Sequence, residues 1–317
     1  MTRLDPHTVA ALRGLLRETV DEGVSPAARA PQSTARRSLV VALVATPLAV
    51  ALAITAVAVG PGTDSAAAAA LREAATATIA TSDPVVGPGQ YLKVTTEAAY
   101  LAYEHDADGR LAAYLSPSTT DVFIPSDPDA DWVQRITARR ATEFYGDASH
   151  AAAQRDWEET LRGGIVRVTR DAEGDFAQSS ELGGQIPDVP LPERPEDALA
   201  FLYKAPYGDG TDAGALRFAA QLLRDGTMPA RERSILYEAL ALLPGIRITD
   251  GHAVLDGRTG IAFSLDPAVI TTEIIVEPTT GLFLGERRLT VTTNGAIPAG
   301  SVEEYTAVAT TVVNSAP

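Results

Sequence analysis

The 317-residue chain has no cysteine. Disulfides, thiolate nucleophiles and cysteine-based zinc sites are thereby excluded. Aromatic residues supply only 6% against 45% hydrophobic residues in all, with Ala and Val supplying the bulk. Histidine occurs four times, as His7, His105, His150 and His252, and no pair has the HExxH spacing of a helical zinc site. No Gly-x-Ser-x-Gly nucleophile elbow is present. Basic residues are scarce over most of the length. Residues 1–38 hold six arginines against four acids, a net +2, and residues 39–60 hold no charge. The total is −15, so residues 61–317 carry −17. A body that acidic repels phosphate backbones, and no nucleic-acid partner is expected.

Partial patterns exist, and each has a simpler reading. Glu104-His105-Asp106-x-Asp108 is dense in metal-type ligands but lies where a hairpin tip is expected. Asp127, Asp129 and Asp131 alternate as in the first half of a calcium loop. Trp132 then stands where such a loop needs glycine, and Ala138 where it needs glutamate. Gly208-Asp209-Gly210-Thr211-Asp212-Ala213 matches G-x-G-x-x-A but follows a helical stretch, and its aspartates would repel a pyrophosphate. The adjacent acids Glu158-Glu159 and Glu303-Glu304 read as surface charge. No catalytic residue, cofactor or metal site is assigned, and an enzyme is not expected.

Long uncharged runs are also nearly absent, with one exception: Leu39 to Gly60, immediately after Arg36-Arg37. Its 22 residues would span about 33 Å as a helix, against a hydrocarbon core of roughly 30 Å. Eleven of them are Leu, Val or Ile. A buried soluble helix should show a polar face, and a cleaved signal should have a shorter core and a shorter leader. The expectation is therefore one uncleaved transmembrane helix, 39–60, lodged in the lipid bilayer. Arg36 and Arg37 place residues 1–38 in the cytoplasm and residues 61–317 outside the cell membrane. Within the cytoplasmic segment Val9, Leu12, Leu16 and Val20 recur at helical spacing. A lone helix of that length is marginal in water, so this stripe is a candidate docking face for a partner or the membrane surface.

Beyond the span, Ser65 to Ala80 is alanine-rich and predicts a helix within a stalk covering 61–89. Residues 90–317 then read as the external domain. QYLKVTTEAAYLAYEHDADGRLAAYL predicts two strands about an Asp-Gly turn, with DVFIP and VQRITARRATEF as further strands. Residues 147–162 return to helix, and a proline-rich connector, 183–195, leads to helices with the stripes Ala215, Ala219, Leu222, Leu223 and Ile235, Ala239, Leu242, Leu243. Five strand patterns close the chain, two of them joined by Glu277-Pro278-Thr279-Thr280-Gly281. Strands and helices in separate runs predict an α+β fold, a curved antiparallel sheet with helices covering one face.

The run from Leu236 through Leu242-Leu243-Pro244-Gly245-Ile246, followed by Thr272-Glu273-Ile274-Ile275-Val276-Glu277-Pro278-Thr279-Thr280-Gly281-Leu282-Phe283-Leu284-Gly285-Glu286-Arg287, resembles an uncharacterised actinobacterial family of single-pass membrane proteins. Pro88-Gly89-Gln90-Tyr91 is similar to the opening of that family's outer domain, although Phe283-Leu284 replaces its commoner Leu-Leu. Members are often encoded beside extracytoplasmic-function sigma factors. The resemblance thus implies signal transduction across the envelope, with a sigma factor as cytoplasmic partner. The outer domain also resembles the half-barrel of periplasmic lipoprotein carriers, which implies an apolar ligand, lipid or glycolipid, as the alternative. No catalytic residues come with the family.

Overall fold

The computed structural model describes residues 63–81, 83–105, 111–127, 129–172, 190–204, 209–265 and 270–317. All lie in one compact unit, residues 57–317. The first element is helix α1 (Thr63–Ala80). Its alanines let neighbouring backbones approach closely, and Ala67, Leu71, Ala74 and Ala75 are buried in the main core. The helix expected as part of a stalk thus packs within the domain it was expected to carry.

Among the described residues ten strands form one sheet. Strands β1 (Tyr91–His105), β2 (Leu111–Pro125), β3 (Trp132–Ala138), β4 (Phe144–Tyr145) and β5 (Val166–Asp171) precede the helical block. Strands β6 (Arg247–Leu255), β7 (Arg258–Ser264), β8 (Ile270–Val276), β9 (Phe283–Thr290) and β10 (Val302–Val313) follow it. The order is β5-β3-β2-β1-β10-β9-β8-β7-β6, with β4 on β2, and every pairing is antiparallel. The sheet is open: its edge strands β5 and β6 do not pair with each other. Its centre joins the two halves of the chain, with Tyr91 opposite Val313 and Tyr100 opposite Glu304. DVFIP is not a separate strand but the end of β2, and β5 was not anticipated. Residues 106–110, at the expected hairpin turn, lie outside the described set, as do residues 1–62 with Val9, Leu12, Leu16, Val20, Arg36, Arg37 and the Leu39–Gly60 run. Among the described residues no helix is long and apolar enough to cross a membrane.

Four further helices lie among the described residues: α2 (Ser149–Gly163), α3 (Pro195–Lys204), α4 (Asp212–Arg224) and α5 (Ala230–Leu240). The main core joins α1, α3, α4 and α5 to one face of the sheet through Leu202, Phe218, Leu223, Leu236, Tyr237, Phe263, Ile274 and Val276. Burying one such Leu or Phe side chain contributes about 1.5–3 kcal/mol. Strand side chains alternate between faces, so Ile275, Leu284 and Ala307 join Leu255 in a small second cluster on the opposite side. The sequence being α+β with a large antiparallel sheet is therefore realised, with helix-packed apolar residues on one face and a minor apolar patch on the other.

Candidate functional site

Directly paired residues of antiparallel strands share a face. That rule locates the helix-packed face across the sheet. Leu92 and Val94 of β1 touch the main core at one end. Ala102, Ala112 and Tyr114 pack against Ala152 and Ala153 of α2 at the other. All five lie on the same side, because β1 and β2 pair without a register shift from Tyr91–Pro125 to His105–Leu111. Between these two patches the same face presents Thr96, Ala98 and Tyr100 on β1, opposite Thr120, Ser118 and Ser116 on β2. On β10 it continues with Thr306 beside Ala98 and Glu304 beside Tyr100. On β9 it continues with Glu286 beside Thr306 and Arg288 beside Glu304. Thr96, Tyr100, Ser116, Ser118 and Thr120 are half-buried, whereas Ala98 and Thr306 are buried. We call this stretch the polar window.

An ionic centre stands at the window's inner edge. Arg224, at the last turn of α4, pairs with Glu286, whose side chain is 4% exposed. Thr306 donates to the same carboxylate at 3.3 Å. Arg288 pairs with Glu304 at 2.9 Å. Local geometry delivers Arg224 here. Thr211 caps the start of α4, accepting from the Gly214 N–H at 3.0 Å. Gly226 follows its C-terminal end at φ 68°, and a Cβ there would lie 2.8 Å from Val94 Cγ1. Only glycine lets the chain turn that close to β1 and leave Arg224 over β9. Burial raises the Glu286 carboxyl above its ordinary value, Arg224 pulls it back, and Glu304 raises it further. Burial pushes the Tyr100 hydroxyl up to about 12, against the pull of Arg224. Asp225, next along from Arg224, keeps contact with solvent, yet the protein around it pushes its carboxyl up to about 6. The Arg224 Nε–H is buried and has no acceptor among the described residues.

The opposite face carries a separate charge ladder. Asp121, 3% exposed, accepts from Lys93 at 2.8 Å, Thr95 at 2.7 Å and Arg135. Burial alone would raise Asp121, but hydrogen bonds from Lys93, Thr95 and Arg135 outweigh it and hold the carboxyl below its ordinary range. Beside it Thr119 donates to Glu97 at 2.8 Å, and Arg139 pairs with Glu97.

The partial motifs resolve into local structure. The Asp129 N–H bonds Asp127 Oδ1 at 3.0 Å, an Asx turn. Among the described residues no three His, Asp or Glu side chains gather to hold a metal. Asp209 accepts from the Thr211 N–H at 3.0 Å and pairs with Arg217 at 2.7 Å, so the glycine-rich run serves the start of α4. His150 stacks on Phe144 with ring centres 3.8 Å apart, and the His252 N–H bonds Asp250 Oδ1 at 2.9 Å. Glu104 pairs with Arg155 at 2.5 Å. Glu303 and Glu304 correct the reading as surface charge: Glu303 is buried and accepts from Thr290 at 3.1 Å, and Glu304 holds Arg288. The sequence reading also missed Arg224, Tyr100 and Arg288. Glu286 was visible only as part of the Phe283-Leu284-Gly285-Glu286 motif.

No protein-family model matches the chain, and no curated protein matches it. Two solved structures are similar to it. The Pseudomonas aeruginosa MucA/MucB complex is 13% identical over 80% of this chain and 58% of that chain, with a TM-score of 0.27. A DUF1329 family protein from Desulfovibrio piger is 10% identical over 79% of this chain and 92% of that one, with a TM-score of 0.19. The chain thus spans less than two thirds of the first of these. Both likenesses are too distant for a function to pass from those proteins to this one.

Proposed function

We propose that the chain is a membrane-anchored regulator whose external α+β domain receives an envelope signal at the polar window. The observation that carries this reading is the window itself, a half-buried polar strip flanked by helices on one face of an open sheet, with Arg224 and Glu286 at its edge. Polar groups gathered beside apolar walls can orient a small ligand. The Leu39–Gly60 run would hold the domain at the membrane, and the sigma-factor association implied by the family resemblance would supply the cytoplasmic partner. In this reading the sheet is a half-barrel whose inner face carries the helices.

The alternative is an extracytoplasmic lipid- or glycolipid-binding module. It is favoured by the half-buried Leu92, Ile124 and Ile136 on the window's face, which would receive an apolar chain. Two experiments separate the readings. The double substitution Leu12→Asp, Leu16→Asp should abolish capture of a sigma factor by the full chain in detergent while leaving membrane insertion intact; unchanged capture defeats the docking reading. Mass spectrometry of the full chain extracted from membranes should show no stoichiometric lipid if the domain is a receptor, and a co-purifying lipid if it is a carrier.

A further inference from the structure

We infer that the polar window binds a saccharide, a proposal that rests on the external domain being a receptor and names the class of ligand it receives. Thr96, Tyr100, Ser116, Ser118 and Thr120 set five hydroxyls on one face of two neighbouring strands. Neighbouring strands lie about 4.8 Å apart, and same-face residues along one strand about 6.8 Å, so the hydroxyls form a lattice some 5–7 Å in mesh. Among the described residues the side chains of Thr96, Ser116, Ser118 and Thr120 have no protein hydrogen-bond partner, although all four are half-buried. The equivalent hydroxyls on the opposite face are engaged: Thr95 by Asp121 and Thr119 by Glu97. Within β1 and β2 the unpartnered Ser and Thr hydroxyls are therefore all on the helix-flanked side.

A hydroxyl donates one hydrogen bond and accepts two, the same repertoire that a sugar hydroxyl presents. An acyl chain laid on this floor would strip water from four hydroxyls and return no hydrogen bond. A strongly ionic ligand fits no better. Arg224 and Arg288 oppose Glu286 and Glu304, two charges of each sign, so the centre favours neither anion nor cation. It does offer what neutral polyols use: carboxylate acceptors, guanidinium donors and the Tyr100 ring beside them. The Tyr100 hydroxyl stays protonated at neutral pH and so remains a donor.

A free oligosaccharide and the headgroup of a glycolipid present the same hydroxyls. The test uses the full chain in detergent micelles on an array of neutral and acidic oligosaccharides, with cis-parinaric acid as a fluorescent apolar probe. Vesicles with and without a galactosyl diacylglycerol separate the two sugar sources. The expected result is retention of neutral oligosaccharides and a loss of at least tenfold in affinity for Ser116→Ala, Ser118→Ala, Thr120→Val combined. Should the triple variant lose its cooperative melt, Thr120→Val alone, which keeps the side-chain shape, should lower affinity about threefold. Binding of the glycolipid vesicle with no free oligosaccharide retained assigns the headgroup, and retention of both assigns the sugar itself. An array left blank overturns the saccharide. If cis-parinaric acid then binds, the ligand class alone has failed and a receiving domain survives; if it does not, both fall together.

Discussion

Arg224 and Glu286 are the residues on which the window's architecture turns. A buried ion pair is weak evidence for stability, because desolvation offsets attraction, but losing one partner strands the other. Arg224→Met should therefore destabilise the protein by about 3 kcal/mol. The double variant Arg224→Met, Glu286→Leu should be less destabilised than that single one, as a urea-unfolding double-mutant cycle would reveal. Asp225 and Asp121 make opposite predictions about pH. The Asp225 carboxyl is raised from its ordinary 3.8 to about 6. Its contribution to stability is present below pH 3.8 and lost as pH rises through 6. Asp225→Asn should flatten the melting temperature between those values. Asp121 is held low, so its contribution is present above pH 3.8 and lost as pH falls below it. Asp121→Asn should cost about 1.5–3 kcal/mol at pH 7, as hydrogen bonds to a charged group do, and much less at pH 3.

At the scale of elements, the fold depends on a turn meeting a helix. Glu277-Pro278-Thr279-Thr280-Gly281 closes with the Gly281 N–H bonded to Glu277 O at 2.9 Å. Thr280 braces the turn, donating its hydroxyl to Glu277 and accepting from the Leu282 N–H at 3.2 Å. Gly281 has φ 67°, and its missing Cβ would stand 2.3 Å from Ala74 O in α1. Thr78, fully buried, donates to Gly281 O at 3.0 Å. The motif is therefore a socket for α1, which explains why a turn signature needs glycine at its end twice over: for conformation and for space. Gly281→Ala should push α1 off the β8–β9 turn and lower the melting temperature more than Thr78→Val does. Thr78→Val removes that hydrogen bond, about 1 kcal/mol, and the longer one that Thr78 accepts from Arg233 Nε at 3.4 Å. Calorimetry of the two variants checks the order.

For the whole molecule, α1 is part of the core and not an appendage. A chain beginning at residue 90 would expose the apolar surface that Leu71, Ala67 and Ala74 cover on α5 and β6. It should lose its cooperative melt and its near-ultraviolet circular dichroism; a sharp transition in that fragment would show that α1 is dispensable. Much of this organisation was legible beforehand. Alanine content predicts α1, the Asp-Gly pair between Tyr- and Val-rich runs predicts the β1–β2 hairpin, and the Glu277–Gly281 turn predicts the β8–β9 connection, because each rests on neighbours in sequence. The same local logic shows five closing strands and the stripe of α4. It could not show that Tyr91 lies opposite Val313, since that pairing closes a loop of more than two hundred residues and leaves no local trace. Nor could it separate the free hydroxyls of Ser116 and Ser118 from the engaged one of Thr119, because alternation along a strand says that faces differ but not which face the helices take. The Arg224–Glu286 pair follows from that choice of face. Composition and periodicity determined the elements and the acidic character of the body; packing across long sequence separations decided where its buried charges and open hydroxyls meet.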